Sequence, residues 1–119
     1  MIAGGNATVM VSDMDRAVDF YTRILGLKLA ARVGSDWAEV ETPGLTLGLH
    51  PAGDGPKPGT PGSISIGLVV EGSIETAMGT LEQRGVRFHG PVLDSDAVKL
   101  AFFGDPDGNA LYLCEVKHQ

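Results

Sequence analysis

Ala7-Thr8-Val9-Met10-Val11-Ser12-Asp13-Met14-Asp15-Arg16-Ala17-Val18-Asp19-Phe20-Tyr21-Thr22-Arg23-Ile24-Leu25-Gly26 is the stretch whose reading decides the fold. Its first five residues are a short apolar and β-branched run, which predicts a strand. Ser12-Asp13 then offers a helix N-cap, and Asp13 and Asp15 place negative charge near the positive end of the helix dipole. Met14, Ala17, Val18, Tyr21, Ile24 and Leu25 recur at spacings of three and four, forming one apolar face of a helix. Gly26 ends that helix by supplying the positive φ that a C-cap requires.

Working outward, three further strands are predicted over Leu27–Val33, Trp37–Glu41 and Leu45–His50, with turns at Gly34-Ser35-Asp36 and Pro43-Gly44. Residues 51–63 are rich in Pro and Gly and have no periodicity, the composition of a linker. The pattern then starts again. Ile64–Val70 reads as a strand, and Gly72-Ser73 as an N-cap with Glu75 in the first turn. Ile74, Ala77, Met78 and Leu81 form an apolar helix face closed by Gly85. Strands over Val86–His89, Val98–Phe103 and Ala110–Val116 follow, with Asp105-Pro106-Asp107-Gly108-Asn109 as the last turn.

The fold class expected is therefore α+β, built from two tandem βαβββ modules (5–50 and 64–116) within a single domain spanning 1–119. One such module buries too little to be stable alone, so the two are expected to pair. Each helix would cover the outer face of a curled mixed sheet, leaving two concave inner faces around a cavity.

Composition narrows the classes of function. The chain has 119 residues and a formal net charge of −6, and its nine Lys and Arg residues form no basic stripe, so neither nucleic acid nor an anionic membrane is an expected partner. Cys114 is the only cysteine, which excludes an internal disulfide and a cysteine zinc cluster. No run approaches the roughly 18 apolar residues of a membrane span. The N-terminal residues lack the basic and apolar regions of a signal peptide, so a cytoplasmic location is expected.

Three segments carry a family resemblance. They are Val11-Ser12-Asp13-Met14-Asp15-Arg16-Ala17-Val18-Asp19-Phe20-Tyr21 with Leu25-Gly26-Leu27, then Leu81-Glu82-Gln83-Arg84-Gly85-Val86, then Phe103-Gly104-Asp105-Pro106-Asp107-Gly108-Asn109. With the duplicated unit around them, the chain resembles the vicinal oxygen chelate (VOC) superfamily: glyoxalase I, extradiol dioxygenases, fosfomycin-resistance enzymes and bleomycin-resistance proteins. Each segment also has a purely structural reason, as helix anchor, C-cap or turn, so together they identify a scaffold that hosts many functions rather than one reaction. The last is not an EF-hand loop, whose acidic pattern is longer.

The resemblance implies metal ligands on the first and last strands of each module. Carried over by position, these fall on Asn6, Gly48, Ser65 and Tyr112, which supply no imidazole and no carboxylate. His50 alone does not make a site, and His89 and His118 read as exposed. A different register on these strands would bring in Glu71 or Glu115 instead of Ser65 or Tyr112. No metal and no cofactor is therefore expected.

Strand alternation assigns Asn6, Thr8, Met10, Gly48, His50, Ser65, Gly67, Ala110, Tyr112 and Cys114 to the inner faces, with Trp37 near a sheet edge or cavity mouth. A few hydrogen-bonding groups among small and apolar residues is how small-molecule pockets are lined. Asn6, Thr8, Met10, Trp37, Gly48, His50, Ser65, Gly67 and Tyr112 are accordingly the candidate ligand-binding residues, although the same side chains could simply fill the space between two sheets. The first functional class is a metal-free protein that sequesters an antibiotic or other organic ligand, as bleomycin-resistance relatives do. The alternative is a glyoxalase- or dioxygenase-like lyase or isomerase, metal-free or with a relocated metal, in which Tyr112 with His50, or Glu39, would act as acid and base. The third is an interaction role with no small ligand. The resemblance also implies a homodimer, side by side or with modules swapped through the linker.

Overall fold

Val9 and Val11 alternate with Thr8 and Met10 along the first strand, and only the valines are fully buried. That alternation aims one side of the strand at a helix and leaves the other side open. In the computed structural model, which describes residues 1, 6–55, 57–60 and 64–117, the chain divides into two compact units, residues 1–58 and 59–119. The class is α+β: each unit holds one four-stranded mixed sheet with its helical segment on one face.

In the first unit, β1 (Ala7–Val11) lies parallel to β4 (Leu45–Pro51), which pairs antiparallel with β3 (Trp37–Thr42), and β3 with β2 (Lys28–Val33). Ala38, Val40, Leu47 and Leu49 join the β1 valines in a core closed by Met14, Ala17, Val18, Phe20 and Tyr21. Asp13 caps α1 (Met14–Asp19) by accepting from Arg16 N–H at 3.0 Å.

The helix does not run on regularly to Gly26. Phe20–Ile24 is a π-helical segment in which Leu25 N–H donates to Phe20 C=O at 2.9 Å and Leu27 N–H to Tyr21 C=O at 3.0 Å. The second unit shows why. There α2 (Ile74–Gln83) is capped by Ser73, and Gly85 closes it with the bond pair Val86 N–H to Leu81 C=O and Gly85 N–H to Glu82 C=O, both 3.0 Å. One more residue separates Asp13 from Gly26 than separates Ser73 from Gly85, and the wider π turn absorbs it.

The second sheet has the order β5 (Ser65–Val69), β8 (Ala110–Val116), β7 (Val98–Gly104), β6 (Phe88–Asp94), again with the outer pair β5–β8 parallel. Ile66, Ile74, Leu81, Ala101, Phe103, Leu111 and Leu113 are buried between sheet and helix. β6 begins and ends later than the strand expected over Val86–His89. Gly90, at φ +71°, and Pro91 lie in a register shift between His89 and Leu93, after which pairing with β7 resumes. A proline is tolerated there because β6 is an edge strand with a bulge.

Long-range polar contacts fasten α2 to its sheet. Lys99 donates to Glu75 at 2.9 Å, and this bond holds the Glu75 carboxyl below its ordinary value; away from the helix, Lys117 after β8 lowers the carboxyl of Asp94 at the end of β6 in the same way. Glu115 Oε1 accepts from Ile74 N–H at 2.6 Å, so a carboxylate from β8 satisfies a free donor at the start of α2. Glu115→Ala is expected to destabilise the protein by about 1–2 kcal/mol, measured by urea denaturation at constant m-value. An unchanged midpoint would mean that water replaces the carboxylate without loss. No helix among the described residues is long and apolar enough to cross a membrane.

Candidate ligand-binding site

Each sheet has one face turned away from its helix, and alternation decides which side chains it carries. On the first sheet, Thr8 of β1, Gly48 of β4, Glu39 of β3 and Ala31 of β2 stand in one row across all four strands. Met10 pairs with His50 in the next row of β1 and β4.

Gly48 is the centre of this face. A Cβ placed on it would lie 2.6 Å from Trp37 Cζ2, closer still to Cη2, and 2.9 Å from Asn6 Nδ2. The glycine is thus what allows the indole of Trp37 to lie across β4, a close approach that no other residue type permits. The indole N–H donates to Glu39 Oε1 at 3.1 Å, which pins the ring's direction. The His50 ring meets the indole edge-on, with centroids 6.2 Å apart and planes at 69°. His50 Nδ1 lies 2.7 Å from Pro51 C=O. Trp37 and Glu39 are half-buried, while Asn6, Thr8 and His50 are exposed.

The second sheet repeats the theme with different residues. Gly67 of β5, Tyr112 of β8, Phe102 of β7 and His89 of β6 form one row. A Cβ on Gly67 would lie 2.5 Å from Tyr112 Oη and 2.6 Å from its Cε2, so here a tyrosine ring lies over a glycine. Phe102 extends that surface, its centroid 5.8 Å from the tyrosine's. The next row, Val69, Cys114, Leu100 and Leu93, is apolar throughout, and Val69 and Leu93 are exposed. Ser65 pairs with Ala110 at the opposite end and is exposed.

Asn6, Thr8, Met10, Trp37, Gly48 and His50 therefore lie on the helix-distal face of the first unit, and Ser65, Gly67 and Tyr112 on that of the second. Trp37 opens an internal strand rather than an edge strand. Tyr112 and His50, considered above as an acid–base pair, belong to different units. Glu115 is on the helix side of β8, occupied by the α2 N-terminus, and Glu71 is exposed beyond the end of β5. His89 is exposed, and His118 lies outside the described residues. Glu39 and Phe102 were missing from the ligand-binding set expected from sequence. Both share parity with residues in that set, Glu39 with Trp37 on its own strand and Phe102 opposite Tyr112, and parity alone could have found them. Among the described residues, no group of three His, Cys, Asp or Glu side chains could hold a metal ion.

Residues 5–113 match the family model described as Glyoxalase/Bleomycin resistance protein/Dioxygenase superfamily. A solved member of that superfamily from Sphaerobacter thermophilus DSM 20745 is 32% identical, with a TM-score of 0.79 over 96% of this chain and 98% of the other. TnmS3, an antibiotic binding protein from Streptomyces sp. CB03234, is 29% identical, with a TM-score of 0.74 over 98% of this chain and 100% of its own. An integron cassette protein from V. cholerae shares the fold at 24% identity and a TM-score of 0.73, over 98% of each chain. No curated protein matches the chain.

Proposed function

The chain belongs to the glyoxalase/bleomycin resistance protein/dioxygenase superfamily, and from that premise we propose that it is a metal-free binding member that sequesters an antibiotic or another organic small molecule. The observation that carries this reading is the indole of Trp37 lying across Gly48. Gly48 is one of the four positions to which the superfamily's metal ligands carry over. Here that position has no side chain, and the space a ligand side chain would occupy holds an indole. The other three positions offer an amide, a hydroxyl and a phenol: Asn6, Ser65 and Tyr112. These neutral oxygen and nitrogen donors do not fit a zinc, nickel, manganese or iron ion. What the two faces do offer is flat aromatic surface beside a few polar groups, which suits recognition of an organic ring system. TnmS3 is described as an antibiotic binding protein, and its similarity supports the same reading. A homodimer and a cytoplasmic location belong to this proposal as well.

Trp37 is the only tryptophan, so its fluorescence reports on the site directly. Titration with a panel of polycyclic aromatic and glycopeptide antibiotics is expected to give saturable quenching, with the ligand recovered unchanged. Conversion of the ligand would instead establish the lyase or isomerase alternative. Stoichiometric transition metal in untagged protein would overturn the metal-free reading. Tyr112→Phe and Ser65→Ala are expected to weaken ligand binding, measured by calorimetry, about three- to tenfold while moving stability by less than about 0.5 kcal/mol. A loss of several kcal/mol would make them packing residues instead.

A further inference from the structure

Glu39 is a carboxylate placed where the sheet gives it no cation. It lies on the internal strand β3, half-buried, and its cross-strand neighbours are Gly48 and Ala31, neither of which carries charge. Among the described residues it makes no ion pair, and its one hydrogen bond is the neutral indole N–H of Trp37, taken by Oε1. The other charged groups nearby are already engaged. Glu41, two residues along the same face, faces Lys28 at 4.0 Å. Arg32 reaches to the helix side and binds Asp15. Five other carboxylates, Asp15, Asp19, Glu41, Glu75 and Asp94, each have a Lys or Arg partner. A half-buried carboxylate without a counter-ion loses part of its hydration and recovers little in exchange. It also stands beside an indole, the aromatic ring whose face attracts cations best.

We propose that Trp37 and Glu39 form a cation-recognising pair, which takes an amidinium, guanidinium or protonated amine group of an organic ligand. The pair rests on the reading of this face as a binding surface, and it adds the charge of the ligand's docking end. The indole supplies a flat contact and a cation–π attraction. Glu39 keeps Oε2 for the cation while Oε1 holds the indole N–H. Gly48 is needed because any Cβ there would push the ring off β4. The net charge of −6 draws a cation toward the protein before contact.

The test uses two isosteric probes, benzamidinium and neutral benzamide, titrated while the single Trp37 indole N–H resonance is followed by NMR. Benzamidinium is expected to shift that resonance saturably and to bind at least about tenfold more tightly than benzamide. Glu39→Gln retains an oxygen to accept the indole N–H but removes the charge. It is expected to bring benzamidinium down to the level of benzamide and to leave benzamide unchanged. Equal affinity of the two probes, insensitivity of benzamidinium to Glu39→Gln, or no saturable shift would each overturn the pair. The antibiotic panel fails independently. A neutral antibiotic that quenches Trp37 with no preference for benzamidinium would keep the binding function and sink the cation pair. Benzamidinium binding that depends on Glu39, without capture of any antibiotic, would do the reverse.

Discussion

Asp105→Ala is expected to lower the stability of the protein by about 3 kcal/mol, the largest loss predicted for a single polar side chain in this fold. Asp105 and Asn109 are buried, at 6% and 4% exposure, within the turn between β7 and β8. Asp105 Oδ1 accepts from the backbone N–H of Asp107 at 3.0 Å and of Asn109 at 2.8 Å, and Oδ2 accepts from Asn109 Nδ2 at 2.8 Å. Asn109 Oδ1 in turn accepts from Gly59 N–H at 3.0 Å. Alanine would take the acceptor away from these three donors, the buried Asn109 Nδ2 among them. Asp105→Asn tests whether charge or shape matters more. It keeps one oxygen but turns an N–H₂ group toward the Asn109 amide, and is expected to cost about 1–2 kcal/mol. Urea denaturation with an unchanged m-value measures both, and a loss below about 1 kcal/mol for the alanine variant would contradict this account.

Gly48→Val is expected to dismantle the aromatic platform of the first unit. Its branched side chain would occupy the position now held by the benzo edge of Trp37, on a buried stretch of an internal strand. The ring must leave β4, so its hydrogen bond to Glu39 and its edge contact with His50 go with it. Overpacking of this kind costs about 1–3 kcal/mol. The sharper readouts are a red-shifted Trp37 emission, a displaced indole N–H resonance and at least about tenfold weaker binding of any ligand that quenches the wild type. Gly79→Ala provides the control. Gly79 lies in α2 with nothing within 4 Å of an added Cβ, so alanine there is expected to leave Trp37 emission untouched and to stabilise the helix by about 1 kcal/mol. Native emission from Gly48→Val would show that the indole does not need the glycine.

Strand alternation was enough to assign the candidate residues to the helix-distal faces, for a plain reason. A period of two along each strand assigns faces locally, so Asn6, Thr8 and Met10 separate from Val9 and Val11 without knowledge of any partner strand. The same holds for Tyr112, whose parity excludes Glu115 from that face. Glu39 was harder to single out. Its significance lies in what surrounds it, and its lack of a counter-ion depends on Gly48 and Ala31 standing beside it across two neighbouring strands.

By itself, the sequence determined what short-range chemistry decides: the strand, helix and turn order of both modules, the caps at Asp13 and Ser73, the closing glycines and the side of each strand that packs on a helix. Tertiary structure decided whatever depends on two distant segments meeting. The Trp37 indole lies over Gly48 because β3 and β4 pair in one register. The carboxylate of Glu115 reaches the start of α2, and Asn109 receives the N–H of Gly59 from a stretch that reads as linker. Periodicity and propensity report each residue's preference for its own backbone. They carry no record of which side chain will stand 5 Å away on another strand, and on that distance the chemistry of both faces depends.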